Sequence, residues 1–278
     1  MNTQTTLPSH RGGSGEPLLL IHGFSGTWRV WEPILPYLEP SYDVLAPTLG
    51  GHVGGPEVAA NDLSVARLAD LIEQAMDEAG FATAHIAGNS LGGWLALELG
   101  HRGRARSVVA LAPAGGWEQA TRAEKRLKGL FTRNYRMSKA LGPRIEPLLA
   151  RPRFRRMIMG QAMARGDLLT PELATAMLRD SVACPAYFDL MEAILRDGPP
   201  ATFAGISCPT VIAWGTGDRI IPLKRYSRRL RDMVPSAEWL EYPKLGHMPM
   251  CDDPALVAET ILEVAKLAEA GRETVPAA

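Results

Sequence analysis

The sequence predicts an α/β fold in which a mostly parallel sheet carries helices on both faces. Three observations lead there. Short, continuous apolar runs alternate with longer stretches of helical periodicity, the pattern of parallel strands connected by crossover helices. Three of the runs end in reactive residue types, where open α/β sheets place their ligands. Composition also shifts between 115 and 200, which marks an inserted unit.

The elements follow in chain order. Residues 17–21 (PLLLI) form a buried strand ending at His22-Gly23, and 30–38 read as a helix. A second strand at 42–46 leads into a loop carrying Gly50, Gly51, Gly54 and Gly55. Val65, Leu68, Leu71, Ile72, Ala75 and Met76 give 64–79 one apolar stripe at helical spacing. Then come a strand at 84–87, a helix at 91–100 and a strand at 107–112. After the insertion the pattern resumes with a strand at 209–214, a helix at 222–234, a strand at 238–242 and a helix at 254–270. The inserted stretch, 115–200, holds 15 Lys and Arg against nine Asp and Glu, and six of the 11 methionines. Its arginines read first as a solvated helical face. A net charge of +6 there also raises the expectation that anionic substrates are drawn to it.

Composition removes most other classes. With 278 residues, 46% hydrophobic and 22% charged, the chain is an ordinary globular one. Thirty basic residues balance 30 acidic ones, which leaves no electrostatic footprint for nucleic acid or an anionic membrane. No apolar run approaches the roughly 20 residues of a membrane span. Residues 1–17 are polar and lack the apolar segment of a secretory signal. Cys184, Cys208 and Cys251 lie far apart with no CxxC pair, so neither a disulfide framework nor a zinc site is expected, and a cytoplasmic location fits best.

The chemistry is carried by strand ends. After 84–87 the chain reads Gly88-Asn89-Ser90-Leu91-Gly92-Gly93, a G-x-S-x-G pentapeptide between strand and helix. A sharp turn there lifts a serine clear of the sheet and points a helix N-terminus at it. A serine hydroxyl is a weak nucleophile and needs a base that is itself oriented by an acid. Asp218 follows the strand at 209–214, and His247 follows the strand at 238–242, giving the order Ser, Asp, His. Alone, Asp218 would pass for a turn aspartate and His247 for a helix-entry residue; together, at those strand ends, they form a constellation. The strand at 107–112 ends in Pro113-Ala114-Gly115 and offers no rival acid. His22-Gly23-Phe24-Ser25-Gly26 follows the first clear strand, and amide donors for an oxyanion are expected at Phe24 and Leu91. His22 and His52 read as loop-bracing residues, and Trp28 and Trp31 as packing for the adjoining helix.

These motifs resemble those of the α/β-hydrolase superfamily, in its subgroup with a helical cap between the sixth and seventh strands. The resemblance covers about 16–270. It implies a core at 1–114 and 201–278, a helical cap or lid at 115–200, and an N-terminal hairpin shortened to a remnant at 3–7. It further implies Ser90 as nucleophile, His247 as base, Asp218 as its partner, and the Phe24 and Leu91 amides as the oxyanion hole. No metal or organic cofactor is implied. An aspartate at the elbow would indicate dehalogenase or epoxide hydrolase chemistry, and Ser90 argues against both. The leading expectation is hydrolysis of small to medium, fairly apolar carboxylic esters through an acyl-enzyme, with Trp28, Trp117, Met137, Met163 and Met248 as candidate pocket residues. The alternatives are a C–C bond hydrolase of ring-fission diketones, a lactonase, a cofactor-free haloperoxidase, and a ligand receptor on the same scaffold. The elbow resembles that of the diketone hydrolases, but the 22–27 loop lacks their proline.

Overall fold

A computed structural model describes residues 8–117, 122–198 and 202–273. Seven strands form one sheet: β1 (Ser9–Gly12), β2 (Glu16–Ile21), β3 (Tyr42–Pro47), β4 (Ala84–Asn89), β5 (Ala105–Leu111), β6 (Thr210–Gly215) and β7 (Glu238–Tyr242). Their order across the sheet is β1-β3-β2-β4-β5-β6-β7. All neighbours are parallel except β1, which lies antiparallel on β3.

Burial on both faces explains the continuous apolar runs. Alternate side chains point to opposite sides of a strand. Leu19, Ile21, Ile86, Val108 and Ile212 enter one core, beneath helices Val65–Glu78, Leu91–His101 and Leu223–Met233. Leu18, Leu20, Ala87, Val109 and Val211 enter the other, against helix Pro254–Glu273 and the segment that follows β2. Ser64 caps the Val65–Glu78 helix by accepting a hydrogen bond from the Arg67 amide at 3.0 Å. No described helix is long and apolar enough to cross a membrane.

Two expectations change. The helix expected at 30–38 is a 3-10 turn, Trp28–Trp31, followed by a single α-turn, Leu35–Leu38. Pro33 and Pro36 account for this, since neither can donate to a helix already under way. The antiparallel N-terminal strand is β1, at Ser9–Gly12; the remnant expected at 3–7 lies outside the described residues. With one such strand among the described residues, the insertion follows the fifth strand described, the sixth where two strands precede β2.

Between β5 and β6 run helices Arg122–Leu141, Pro152–Met159, Pro171–Ala183 and Tyr187–Asp197, with a short turn of helix between the first two. Their apolar faces join the body rather than a core of their own. Leu190, Met191 and Ile194 pack with the first cluster, and Ile145, Leu149, Met159 and Leu173 with the second.

Candidate active site

Strand β4 is buried along its whole length and runs directly into Ser90, whose φ of 57° and ψ of −115° are unusual for any residue with a side chain. Neighbours hold the strain in place. The Ser90 amide donates to the Leu111 carbonyl at 2.9 Å, and the Ser90 carbonyl accepts from Trp94 at 3.1 Å and Ala114 at 2.8 Å. The turn closes only because its flanks are bare. A Cβ at Gly88 would lie 2.0 Å from the Gly92 carbonyl oxygen, and one at Gly92 would lie 2.0 Å from that of Ile21.

Asp218 and His247, 29 residues apart, meet across the ends of β6 and β7. His247 Nδ1 lies 2.7 Å from Asp218 Oδ2, and both residues are 5% exposed. The other oxygen of Asp218 accepts the amides of Ile220 at 2.8 Å and Ile221 at 2.9 Å, so the carboxylate is fixed before it meets the ring. With Nδ1–H given to Asp218, Nε2 is the ring atom left to exchange protons. The His247 carbonyl is held by Asn89 Nδ2 at 2.9 Å, which ties the histidine loop to the residue preceding Ser90. Asp252, buried, takes the amides of Gly246 at 2.6 Å, Ala164 at 3.0 Å and Arg165 at 2.7 Å. One carboxylate thereby joins the histidine loop to the insertion. Sequence reading missed it, because an aspartate in an Asp-Asp-Pro run resembles an ordinary helix entry.

The loop after β2 is braced from both sides. His22 Nε2 accepts from the Leu49 amide at 2.9 Å, and His52 Nε2 accepts from Ser25 at 3.0 Å. Burial drives both imidazoles toward the neutral form: His22 falls well below its ordinary value, and His52 to about 4. The bracing roles expected for both are the ones observed. From the insertion side, Thr27 Oγ1 donates to Asp180 Oδ2 at 2.9 Å, and the Ser25 and Ser181 hydroxyls lie 2.9 Å apart. Between these anchors the Phe24 amide has no hydrogen bond among the described residues. Leu91 is the first residue of its helix, so its amide has no intrahelical acceptor. Two amide donors therefore stand uncommitted beside Ser90.

Ser90 and His247 face a cavity of about 460 Å³ between the sheet and the inserted helices. The wall is mostly apolar, and none of its lining residues is Lys or Arg. Met137 and Met248 line it as expected. Trp28 and Met163 do not. Trp28 stacks on His10, with ring centroids 5.2 Å apart, within the core that also takes in Met163 at 1% exposure. Trp117 lines a separate, smaller cavity behind Phe24. Residues not singled out from sequence complete the large wall: Met157, Met159, Met177, Phe131, Tyr135 and Tyr187. The methionine enrichment of 115–200 was the available signal, but helical phase decides which methionines face inward.

Among the described residues, no cluster of three or more His, Cys, Asp or Glu offers a metal-ligand set. Burial pushes the Cys184, Cys208 and Cys251 thiols up, so none is a thiolate nucleophile at neutral pH.

Comparison with known proteins shows the family of the fold. A family model described as "Alpha/beta hydrolase family" matches residues 18–260. The epoxide hydrolase EphH of Mycobacterium tuberculosis (strain ATCC 25618 / H37Rv) is 34% identical over 203 residues, covering 72% of this chain and 94% of that protein. A thermophilic esterase from Thermogutta terrifontis superposes with a TM-score of 0.69 at 21% identity, covering 94% of this chain and 93% of the other. A meta-cleavage product hydrolase from Pseudomonas fluorescens IP01 superposes at 0.70 with 23% identity, covering 94% of each chain. The chain belongs to the alpha/beta hydrolase family.

Proposed function

We propose that this hydrolase is a serine esterase that cleaves carboxylic esters through an acyl-enzyme on Ser90. The observation that carries the reading is the buried His247–Asp218 pair, 2.7 Å apart, on the same cavity as a serine held in a strained elbow. In this reading His247 Nε2 takes the proton of Ser90 Oγ as that oxygen attacks the ester carbonyl carbon. Asp218 stabilises the imidazolium, and the Phe24 and Leu91 amides hold the oxyanion. His247 then protonates the leaving alkoxide, and a water molecule, deprotonated by His247, releases the acid and restores Ser90. The inserted helices act as a cap that gives the ester an apolar enclosure, and no cofactor or metal takes part.

Epoxide hydrolysis, the activity named for the 34%-identical relative, fits Ser90 poorly. Serine attack on an epoxide leaves an ether, which water does not release, whereas a carboxylate nucleophile leaves an ester, which it does. A C–C hydrolase acting on an anionic diketone would need a cation for the carboxylate; the cavity that Ser90 shares with His247 has no Lys or Arg in its lining, and Lys128, on the smaller cavity behind Phe24, is paired with Glu192.

Turnover of p-nitrophenyl esters from acetate to decanoate, wild type beside Ser90→Ala, tests the proposal. Repeated turnover by the wild type is expected, with kcat at least about 10³-fold lower in Ser90→Ala and an unchanged circular dichroism spectrum. Undiminished activity in Ser90→Ala removes the nucleophile assignment. Hydrolysis of styrene oxide but of no ester would overturn the esterase reading.

A further inference from the structure

We infer that the site sorts the two halves of its ester by size, taking a short acyl group of about two to four carbons and a large apolar alcohol. The inference rests on the serine-esterase reading and adds the substrate class. Ser90 borders two chambers, not one. The large one has about 460 Å³ and the small one about 40 Å³; both are lined by Phe24, Ser90, Phe131 and Ile220. The small chamber is further lined by Leu91, Ala114, Trp117, Leu127, Met191 and Lys128, and its exposed surface is almost wholly apolar. Phe24 stands between the two, its ring fixed edge-on against Phe131 at 5.1 Å and Tyr187 at 4.7 Å.

The direction of proton transfer decides which half goes where. At the tetrahedral stage the carbonyl carbon carries Ser90 Oγ, the oxyanion, the acyl chain and the alkoxy group. The carbon–alkoxy bond breaks only as the alkoxy oxygen receives the proton that His247 took from Ser90. The alkoxy group must therefore lie on the side of His247, which lines the large chamber and not the small one. With the oxyanion at the Phe24 and Leu91 amides, the remaining substituent, the acyl chain, is directed into the small chamber. About 40 Å³ holds roughly three water-sized groups, hence a short chain. The large chamber has room for an alcohol of ten or more carbons and presents polarizable methionines to it.

A pair of isomers separates the alternatives, because octyl acetate and methyl nonanoate share the formula C10H20O2 and differ only in which side of the ester is long. Wild-type kcat/KM is expected to favour octyl acetate by about tenfold or more, since each group that does not fit an apolar pocket costs about that factor. Leu127→Ala, which widens the small chamber, should raise octyl hexanoate relative to octyl acetate by about tenfold. Ser90-dependent turnover that is equal for the two isomers, or faster for methyl nonanoate, overturns the sorting and leaves the esterase reading standing. A folded protein that turns over neither isomer nor p-nitrophenyl acetate overturns the esterase reading and the sorting with it.

Discussion

Asp218 divides its carboxylate between two tasks, and the division makes a sharp prediction at the scale of one residue. Oδ1 is committed to the Ile220 and Ile221 amides, while Oδ2 meets His247 Nδ1. In Asp218→Asn the amide oxygen keeps the two backbone bonds, so the NH2 group faces the ring. Nδ1 must then accept, its proton moves to Nε2, and the ring loses the lone pair that would take the Ser90 proton. Turnover of p-nitrophenyl acetate should fall by about 10⁴, with a melting temperature within a few degrees of wild type. A loss below tenfold would assign the acid to another residue. The three proposed catalytic positions could be nominated from the sequence because each has a local signal: a serine between glycines that only a tight turn requires, an acid just after an apolar run, and a histidine between the last strand and the last helix. Met163, and Trp28 as a pocket candidate beside its packing reading, which is the one observed, fail for the opposite reason. Nothing local tells an apolar side chain whether it faces a cavity or a core, and both face the core.

At the scale of elements, the inserted helix Pro171–Ala183 reaches into the loop that presents the Phe24 amide. Asp180 and Ser181 both lie on it, bonded to Thr27 and Ser25 respectively. Thr27→Val removes the hydroxyl donor at nearly constant shape and takes one hydrogen bond from the buried Asp180 carboxylate, which keeps Arg29 Nε at 3.8 Å. That should cost about 1–3 kcal/mol, a drop of roughly 5 °C in melting temperature. If the bond also holds the oxyanion loop in register, kcat should fall about three- to tenfold with little change in KM, since only the transition state uses the amide. Thr27→Ser keeps the hydroxyl and should restore kcat. A Thr27→Val enzyme with wild-type kcat would separate the loop from the helix. The contact joins residues more than 150 positions apart, and no periodicity announces it. The helices of the body were expected at their places in the sequence, except where Pro33 and Pro36 reduced an expected helix to two turns, whereas those between 115 and 200 were implied only as a helical cap by the family resemblance.

For the molecule as a whole, two neutral histidines buried where the body meets its insertion set the response to acid. His22 and His52 stand edge to face at 4.9 Å, and each ring is fully used, with Nδ1 against a carbonyl and Nε2 accepting an amide. Protonation would turn each acceptor into a donor aimed at another donor and would place two like charges together. Both folded values lie below the ordinary 6.5, so the unfolded chain binds protons first. The stability these residues confer is complete above pH 6.5 and is lost as pH falls toward about 4 in the case of His52. At pH 5, before most carboxylates titrate, His52 alone should account for a loss of about 2 kcal/mol, and His22 adds in the same direction. Urea midpoints measured between pH 7 and 5 should therefore decline. In His52→Gln, whose amide oxygen can accept the Ser25 amide without titrating, the decline should be shallower. A midpoint constant from pH 7 to 5, or a slope unaltered by His52→Gln, would mean that the rings are already protonated in the fold or still solvated. His52 holds the Ser25 amide and His22 the Leu49 amide, so the two rings tie the loops after β2 and β3 together, and acid should loosen the proposed oxyanion loop before it unfolds the sheet. Activity on p-nitrophenyl acetate after a brief exposure to pH 5 and return to pH 7 should then recover fully, because the parallel core that refolds the loop has stayed intact.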